Sequence, residues 1–298
     1  MNKNPTNSSI HRVLQEDCLK GLKKLQDKID LTFLDPPFNQ KKQYASYLDD
    51  LPEQEYWDSI RDVSSQIFDK TSEGGALYFM QREKNSERVL QILRETGWTF
   101  QNLIIWKKMT SAVPGAMRYG KAFQVIAFVT KGRKPRVFNK LRIDPPLPGN
   151  YKYERKNGLF VTDIWDDIRE LTSGYFAGDE AIRDDLGERF HKQQSPIALL
   201  LRIVLSSSNV GDLVLDPFSG TGTTAVVAKQ LNRSSISFDI DSENFTCIEK
   251  RLSEIRKSDL VEKYFDDYRY TDRLEEIWRG GSIDSDELDR LAKTSNLA

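Results

Sequence analysis

Two short stretches of this 298-residue chain carry residue types whose chemistry could be combined. The first, Asp35-Pro36-Pro37-Phe38, closes an apolar run from Leu31 to Leu34. It offers a carboxylate acceptor, an aromatic face, and two prolines that cannot donate to a strand ladder and so leave a stiff backbone with free carbonyls. Such a set suits a planar ring bearing an amine, whose N–H groups find acceptors while its face finds Phe38. The second stretch is Asp216-Pro217-Phe218-Ser219-Gly220-Thr221-Gly222-Thr223-Thr224, with Asp239 following 17 residues after Gly222. Gly220 and Gly222 let backbone come close to a ligand, and a helix starting there presents N–H groups with no partner in the helix. An acid at the next strand end is spaced to hold ribose hydroxyls.

Each stretch has a plainer alternative. Asp-Pro-Pro is a common turn, and the chain holds a second copy, Asp144-Pro145-Pro146-Leu147, which no apolar run precedes and Pro148-Gly149 follows. That copy reads as loop. The glycine turn lacks the lysine that a phosphate-binding loop needs after its last glycine. A dinucleotide site stays open, because Ala225 stands where that pattern accepts a third small residue. S-adenosylmethionine is the third candidate: it has no phosphates, carries a cationic sulfonium, and suits an acid such as Asp216 ahead of the glycines.

The elements that must position these residues follow a strand–helix rhythm. Strands are expected at His11–Leu14, Leu31–Leu34, Ala76–Met80, Phe100–Lys107, Phe123–Thr130, Leu213–Leu215 and Ile236–Phe238. Gly74-Gly75 reads as a break before the third of these. Helices are expected on the stripe Leu19, Leu22, Leu25, then at 53–70, where Tyr56, Ile60, Val63 and Ile67 recur at helical spacing, and at 85–96, stopped by Gly97. Further helices are expected at 197–205, with Ser195 as cap and Pro196 in the first turn, at 225–231 and at 245–257. Asp17, at a strand–helix junction, reads most simply as a helix cap. Gln40–Asp50 and Lys108–Gly120 read as loops. The rhythm fades over 131–190, which is rich in charge, Gly, Pro and aromatics (Tyr151, Tyr153, Phe160, Trp165, Tyr175, Phe176) and reads as an insertion of the kind that carries recognition. The whole pattern predicts an α/β fold, a doubly wound and mostly parallel sheet.

Composition sets the boundaries. With 38% hydrophobic and 30% charged residues, the chain can bury a sizeable core. No stretch is apolar enough to span a bilayer and Met1–Ser9 lacks the apolar core of a signal peptide, so a cytoplasmic protein is expected. The two cysteines, Cys18 and Cys247, are far apart, which fits a reducing compartment and gives no metal site. Net charge is −1, yet Lys131–Lys156 carries a local excess of about +7 and the stretch from Asp259 to the end about −5. Lys131, Arg133, Lys134, Arg136, Lys140 and Arg142 are therefore candidate phosphate contacts, with a solvated loop as the alternative.

Taken together and in this order, the motifs resemble those of the β-group amino-methyltransferases of DNA. In that family an Asp-Pro-Pro-aromatic motif comes first, a target-recognition region follows, and an Asp-Pro-Phe-x-Gly-x-Gly-Thr-Thr motif lies near the C-terminus. His191-Lys192-Gln193-Gln194-Ser195-Pro196 is similar to a further family segment, His-Pro-x-Gln-Lys-Pro, and Glu16-Asp17-Cys18 to Gly-Asp-Cys. The resemblance covers about residues 11–255. It implies a Rossmann-like methyltransferase fold divided into a catalytic half (1–130), a target-recognition insertion (131–190), a cofactor-binding half (191–257) and an acidic extension (258–298). It implies S-adenosylmethionine as cofactor, double-stranded DNA as partner, and a flipped base whose exocyclic amine is methylated. Asp35, Pro36, Pro37 and Phe38 would be catalytic. Asp17, Cys18, Asp35, Ser195, Asp216, Phe218, Ser219, Gly220, Thr221, Gly222, Thr223, Thr224 and Asp239 would line the cofactor site. Asp35 points to N6 of adenine, since the N4-cytosine enzymes of the group usually carry Ser there. N4-cytosine and a catalytically silent nucleic-acid-binding protein are the alternatives. A C5-cytosine enzyme needs a Pro-Cys nucleophile, which neither cysteine supplies. For protein glutamine the related motif usually begins with Asn. The resemblance admits a cognate restriction endonuclease and a homodimer as partners.

Overall fold

The computed structural model describes residues 9–40, 49–109, 113–144, 155–171, 178–184, 186–191 and 193–280. The described strands are β1 (His11–Gln15), β2 (Ile29–Leu34), β3 (Thr71–Arg82), β4 (Thr99–Lys107), β5 (Phe123–Thr130), β6 (Arg142–Ile143), β7 (Leu159–Phe160), β8 (Ile164–Trp165), β9 (Leu213–Asp216) and β10 (Ser234–Asp239). Eight form one sheet in the order β1-β10-β9-β2-β3-β5-β4-β8, and β6 and β7 form a separate ribbon. β5 runs antiparallel to both its neighbours, while the other pairings in the large sheet are parallel.

Helices cover both faces, which is why the central strands are apolar on both sides. One core gathers Leu31, Phe33, Tyr78 and Met80 under α4 (Ile197–Ser207), α5 (Thr223–Gln230) and α6 (Ser242–Ser253). The other gathers Leu34, Leu77 and Phe79 under α1 (Cys18–Lys24), α2 (Glu53–Lys70) and α3 (Ser86–Glu95). The first core also takes in Val261, Tyr268, Leu274 and Trp278, the last two from α7 (Leu274–Arg279). The extension, as far as residue 280, is thus built into the body. No helix among the described residues is long and apolar enough to cross a membrane.

Several boundaries differ from expectation, each for a local reason. Gly74-Gly75 does not break the chain: β3 runs from Thr71 straight through it. Gly74 sits at φ +73, and a Cβ there would come 2.7 Å from the Arg136 nitrogen, so the glycines let a strand pass under a crossing segment. Ser195 does not cap α4. Pro196 holds the cap position, Glu180 accepts the Ile197 N–H at 2.6 Å, and the Ser195 hydroxyl turns elsewhere. α6 starts at Ser242 because Asp241 accepts the N–H groups of Glu243 and Asn244. Asp17 does cap α1, accepting the Lys20 N–H at 3.1 Å, and Gly97 (φ +92) ends α3 with the Trp98 N–H on Leu93. Within 131–190, β8 pairs parallel with β4 and so extends the main sheet. Most of the Gln40–Asp50 loop, the second Asp-Pro-Pro after Asp144, and Tyr151, Tyr153, Tyr175 and Phe176 lie outside the described residues.

The reversal of β5 decides where the basic segment goes. Thr130 lies opposite Ala76, near the start of β3, and Gln124 opposite Arg82 at its end. Lys131 therefore emerges at the edge where the parallel strands begin. There the Lys131 ammonium donates to the Phe68 carbonyl at 2.8 Å, and Arg136 pairs with Asp212 at 2.5 Å and Asp30 at 3.2 Å. Asp30 and Asp212 in turn precede β9 or stand within β2, so Arg136 ties two strand starts together. Arg136→Ala is expected to cost about 1 kcal/mol of stability, as these groups are only partly screened from water. Arg133→Ala and Lys134→Ala, at exposed positions, should each stay within about 0.5 kcal/mol. Urea denaturation of the three variants checks this, and equal effects in all three would remove the strand-tying role.

Candidate active site

The opposite edge of the sheet is where the chemistry gathers. β2 and β9 are neighbours, with Leu31 beside Val214 and Thr32 beside Leu215. The chain leaves β9 toward β10 and β1, and leaves β2 toward β3, so the connections diverge and open a crevice beyond the two strand ends. Asp35 and Asp216 stand on its two lips.

Asp35 is half-buried, and the Ser195 hydroxyl donates to its Oδ2 at 3.4 Å. Pro36 is buried and Phe38 is 9% exposed, so the Phe38 ring is seated in protein with only an edge accessible. The exit of this loop is fixed by residues that sequence reading passed over. Asn39 adopts φ +51, a conformation Asn tolerates, and exchanges hydrogen bonds with Leu51 through both ends of its amide. Buried Asp49 accepts the N–H groups of Asn39 and Gln40 at 2.8 and 2.9 Å. A second missed residue is Lys108, just past β4. Its ammonium lies 3.1 Å from the centroid of the Trp106 ring. Burial pulls its pKa down to about 7, against the opposing pull of Glu170 and Asp35. The Glu170 carboxylate also accepts the Met109 N–H at 2.9 Å. The signal for Lys108 in the sequence was only its place at a strand end.

The glycine turn is held together by its own side chains. Asp216 is 4% exposed and accepts the Thr224 hydroxyl at 2.5 Å and the Phe218 N–H at 3.1 Å. Burial raises its pKa to about 7. The Ser219 hydroxyl donates to the Asp216 carbonyl at 2.8 Å. Thr221 and Thr223 are buried, and both accept from the Arg251 guanidinium, through a carbonyl at 2.6 Å and a hydroxyl at 3.3 Å. Asp216, Ser219, Thr223 and Thr224 thus build the turn, while Phe218 and Gly220 remain half-exposed. Asp239 accepts the Gly220 N–H at 2.8 Å and the Asn244 amide at 3.1 Å, and desolvation raises its pKa. Asp17 lies at the same edge, since Gln15 pairs with Asp239. Cys18 is buried, and its thiol is pushed up to about 12 by burial and the nearby Asp17 carboxylate, so it packs and does not react.

The two glycines have different reasons to be glycine. A Cβ on Gly220 (φ +50) would meet only the His191 ring, at 3.7 Å; it faces the crevice. A Cβ on Gly222 (φ +75) would come 2.8 Å from Ile248 of α6, so that glycine lets α5 and α6 close against each other. Of the two glycines expected to approach a ligand, only Gly220 has room where its Cβ would project. Behind the turn runs a buried ionic chain: Arg251 bonds Asp259 at 3.1 Å, Asp259 bonds Arg256 at 2.6 Å, and Arg256 donates to the Glu180 carbonyl at 2.8 Å. Since Glu180 caps α4 beside Ser195, this chain joins the glycine turn to the Asp35 lip.

Two of the basic residues expected to hold phosphate are held away from this edge. Lys131 and Arg136 are engaged at the other edge, and Arg142 stacks 3.8 Å over Phe160 and donates to the Asn157 carbonyl. Arg133, Lys134 and Lys140 are exposed. Among the described residues no cluster of His, Cys, Asp and Glu could hold a metal ion.

Residues 29–250 match the family model described as DNA methylase, of N6/N4 type. The chain is 29% identical over 276 residues to the type II methyltransferase M.HinfI of Haemophilus influenzae, covering 86% of this chain and 72% of that one. It is 29% identical over 251 residues to the DNA adenine methyltransferase YhdJ of Escherichia coli K12, covering 78% and 79%. Among solved structures, M1.HpyAVI in complex with SAM superposes with a TM-score of 0.56 at 21% identity, covering 82% of this chain and 99% of that one. The cytosine-N4-specific PvuII DNA methyltransferase superposes with 0.58 at 18% identity, covering 93% and 95%.

Two expectations separate ligand contact from scaffold. Gly222→Ala should lose about 2–4 kcal/mol of stability, from the positive φ and the clash with Ile248. Gly220→Ala should lose only about 1 kcal/mol, while its affinity for S-adenosylmethionine falls at least several-fold. Thermal unfolding with calorimetric titration of each variant is the check; the reverse pattern would exchange their roles. Asp259→Ala leaves two guanidinium groups without their buried partner and should cost about 3–5 kcal/mol, read in the same unfolding experiment.

Proposed function

The chain belongs to the N6/N4 DNA methylase family, and on that premise we propose that it methylates the exocyclic N6 amine of an adenine turned out of duplex DNA, with S-adenosylmethionine as donor. The observation that carries this reading is the placement of Asp35 and the glycine turn on facing lips of one crevice. Asp35, where the N4-cytosine enzymes usually carry Ser, favours adenine, as does the likeness to YhdJ, a DNA adenine methyltransferase by name.

The crevice fits the cofactor. Gly220 leaves its floor open where a Cβ would project, the Phe218 ring borders it, and carboxylates on both sides suit a cation. When bound, S-adenosylmethionine supplies an electrophilic methyl on a positive sulfur. Gly220, Phe218 and Asp239 would hold it, with Asp17 at the same edge.

The work left to the protein is to make a poor nucleophile adequate and to place it. An exocyclic amine shares its lone pair with the ring. Accepting its N–H groups at the Asp35 carboxylate and the Pro36 carbonyl draws that pair back onto nitrogen, and Asp35 is placed to take the proton released as the amine gains a methyl group. Ser195, donating to one Asp35 oxygen, orients the other. Phe38 offers its accessible edge to the base. Positioning and fixed charge of this kind account for most of the rate in such a displacement. A base in a duplex cannot reach this crevice, so it must leave the stack.

DNA approaches from the catalytic edge, where Lys84 and Lys107 stand at the ends of β3 and β4 and Arg118 and Lys121 precede β5, while Lys131 and Arg136 are engaged at the other edge. β8 ends beside the end of β4 and Glu170 accepts the Met109 N–H there, and the base reading is assigned to 166–190, the part of the insertion that follows. The likeness to relatives named as type II methyltransferases supports a restriction endonuclease of the same specificity as partner in this reading.

Asp35→Ala is expected to lower methyl transfer by at least about 10²–10³-fold while S-adenosylmethionine affinity stays within about threefold, since the carboxylate serves the amine. Single-molecule sequencing of host DNA carrying the wild-type and variant genes reads both the modified base and its context. N4-methylcytosine in place of N6-methyladenine would move the assignment to cytosine, and no modification with the wild type would overturn the enzymatic reading.

A further inference from the structure

The described residues between β4 and β5, Lys108, Met109 and 113–122, form a finger at the catalytic edge. Its base is closed by the Lys108 N–H on the Ala122 carbonyl at 2.7 Å and by the Lys121–Glu83 ion pair at 3.1 Å. Its described tip is a tight turn in which Gly115 bridges Arg118, and a Cβ on Gly115 would meet the Arg118 side chain at 3.4 Å. Met117 at that tip is 96% exposed and the adjacent Tyr119 is 94% exposed. Burial of neither is used by the fold. An apolar tip flanked by Arg118 and Lys121 is complementary to a surface that is anionic outside and apolar within. Stacked DNA has that character: phosphates on the rim and base faces between.

We propose that this finger is a wedge, with Met117 and Tyr119 entering the base stack at the position the target base vacates and Arg118 holding the adjacent phosphate. The inference rests on the base-flipping reading above and adds the residues that make flipping affordable. The placement agrees with it. β5 and β4 stand two and three strands from β2, about 10 and 14 Å at the usual spacing, and the Asp35 carboxylate is close enough to act on Lys108 at the finger's base. A flipped base swings out of the helix over a comparable distance. Apolar side chains driven into a base step are a known means of unstacking it, and an aromatic ring accepts any base face, so such a wedge is tolerant of sequence.

A wedge has a signature that phosphate contacts and structural residues lack: it matters only while a paired base must be displaced. The double variant Met117→Ala/Tyr119→Ala is to be assayed on two duplexes carrying the motif found by sequencing, one fully paired and one with an abasic site opposite the target adenine. On the paired duplex kcat/KM is expected to fall at least tenfold. On the abasic duplex, where the target base is already unpaired, it should return to within about threefold of wild type. A 2-aminopurine at the target position should brighten with wild-type protein and much less with the variant on paired DNA. Met117→Leu/Tyr119→Phe, which keeps the apolar volume, should behave as wild type on both. Equal loss on both duplexes, or loss on neither, would overturn the wedge. Because wild-type methylation of the paired duplex is measured alongside, failure of the enzymatic reading shows separately, as no product with any variant.

Discussion

The placing of Asp35 beside the glycine turn depends on the parallel pairing of β2 with β9. Those strands are about 180 residues apart in the chain, and two registered pairs join them, Leu31 with Val214 and Thr32 with Leu215. A slip of one residue would move Asp35 along the strand by about 3.3 Å and turn each side chain to the other face. The register is pinned from below. The Asp30 carboxylate accepts the Leu213 N–H at 3.0 Å, and Arg136 spans Asp30 and Asp212. A cluster of charge at the far edge of the sheet therefore sets the height at which the two lips of the crevice meet. That is a structural use for arginine and aspartate that a count of basic residues hides.

Above that pairing, the site accepts an electrostatic cost. Asp216 keeps its proton in the folded chain up to about pH 7, whereas an unfolded Asp gives it up near 3.9. Folded protein thus binds more protons over that interval, and the contribution of Asp216 to stability falls as pH rises through it. Asp239 is shifted in the same direction by desolvation. Lys108 is shifted the other way, its charged form disfavoured by burial. Burial is the first cause of all three shifts, and a fixed charge in such surroundings acts more strongly than it would at the surface.

How much of this the sequence disclosed depended on whether the governing interactions were local. Asp35 and the Asp216–Asp239 stretch were legible because strand ends, prolines and glycines announce themselves within a few residues, and their order along the chain identified the family. The cap on α1 and the stop after α3 were legible for the same reason. The place of Lys131 and Arg136 in the fold was not. Their charges were read without knowing that β5 runs antiparallel, and direction is settled by pairing across the sheet, not by composition. Ser195 looked like a helix cap because Ser-Pro usually is one; Glu180, fifteen residues earlier, took that task and released the hydroxyl toward Asp35. The acidic extension showed no chemistry as a sequence, yet Asp259 is wholly buried between Arg251 and Arg256.

Gly220 and Gly222 show how one motif can serve two masters. Both are in left-handed backbone, so both need glycine for conformation, and two residues of separation send their missing Cβ atoms to different places. One absence opens the crevice; the other lets α6 close on α5, which brings Arg251 within reach of the Thr221 carbonyl. From there the ionic chain passes through Asp259 and Arg256 to Glu180 and the first turn of α4. The glycine turn and the Asp35 lip are consequently positioned twice, once through the β2–β9 pairing in the sheet and once through this buried chain behind the crevice. A methyl displacement that tolerates little misplacement of donor and acceptor gains from having its two halves fixed by independent routes.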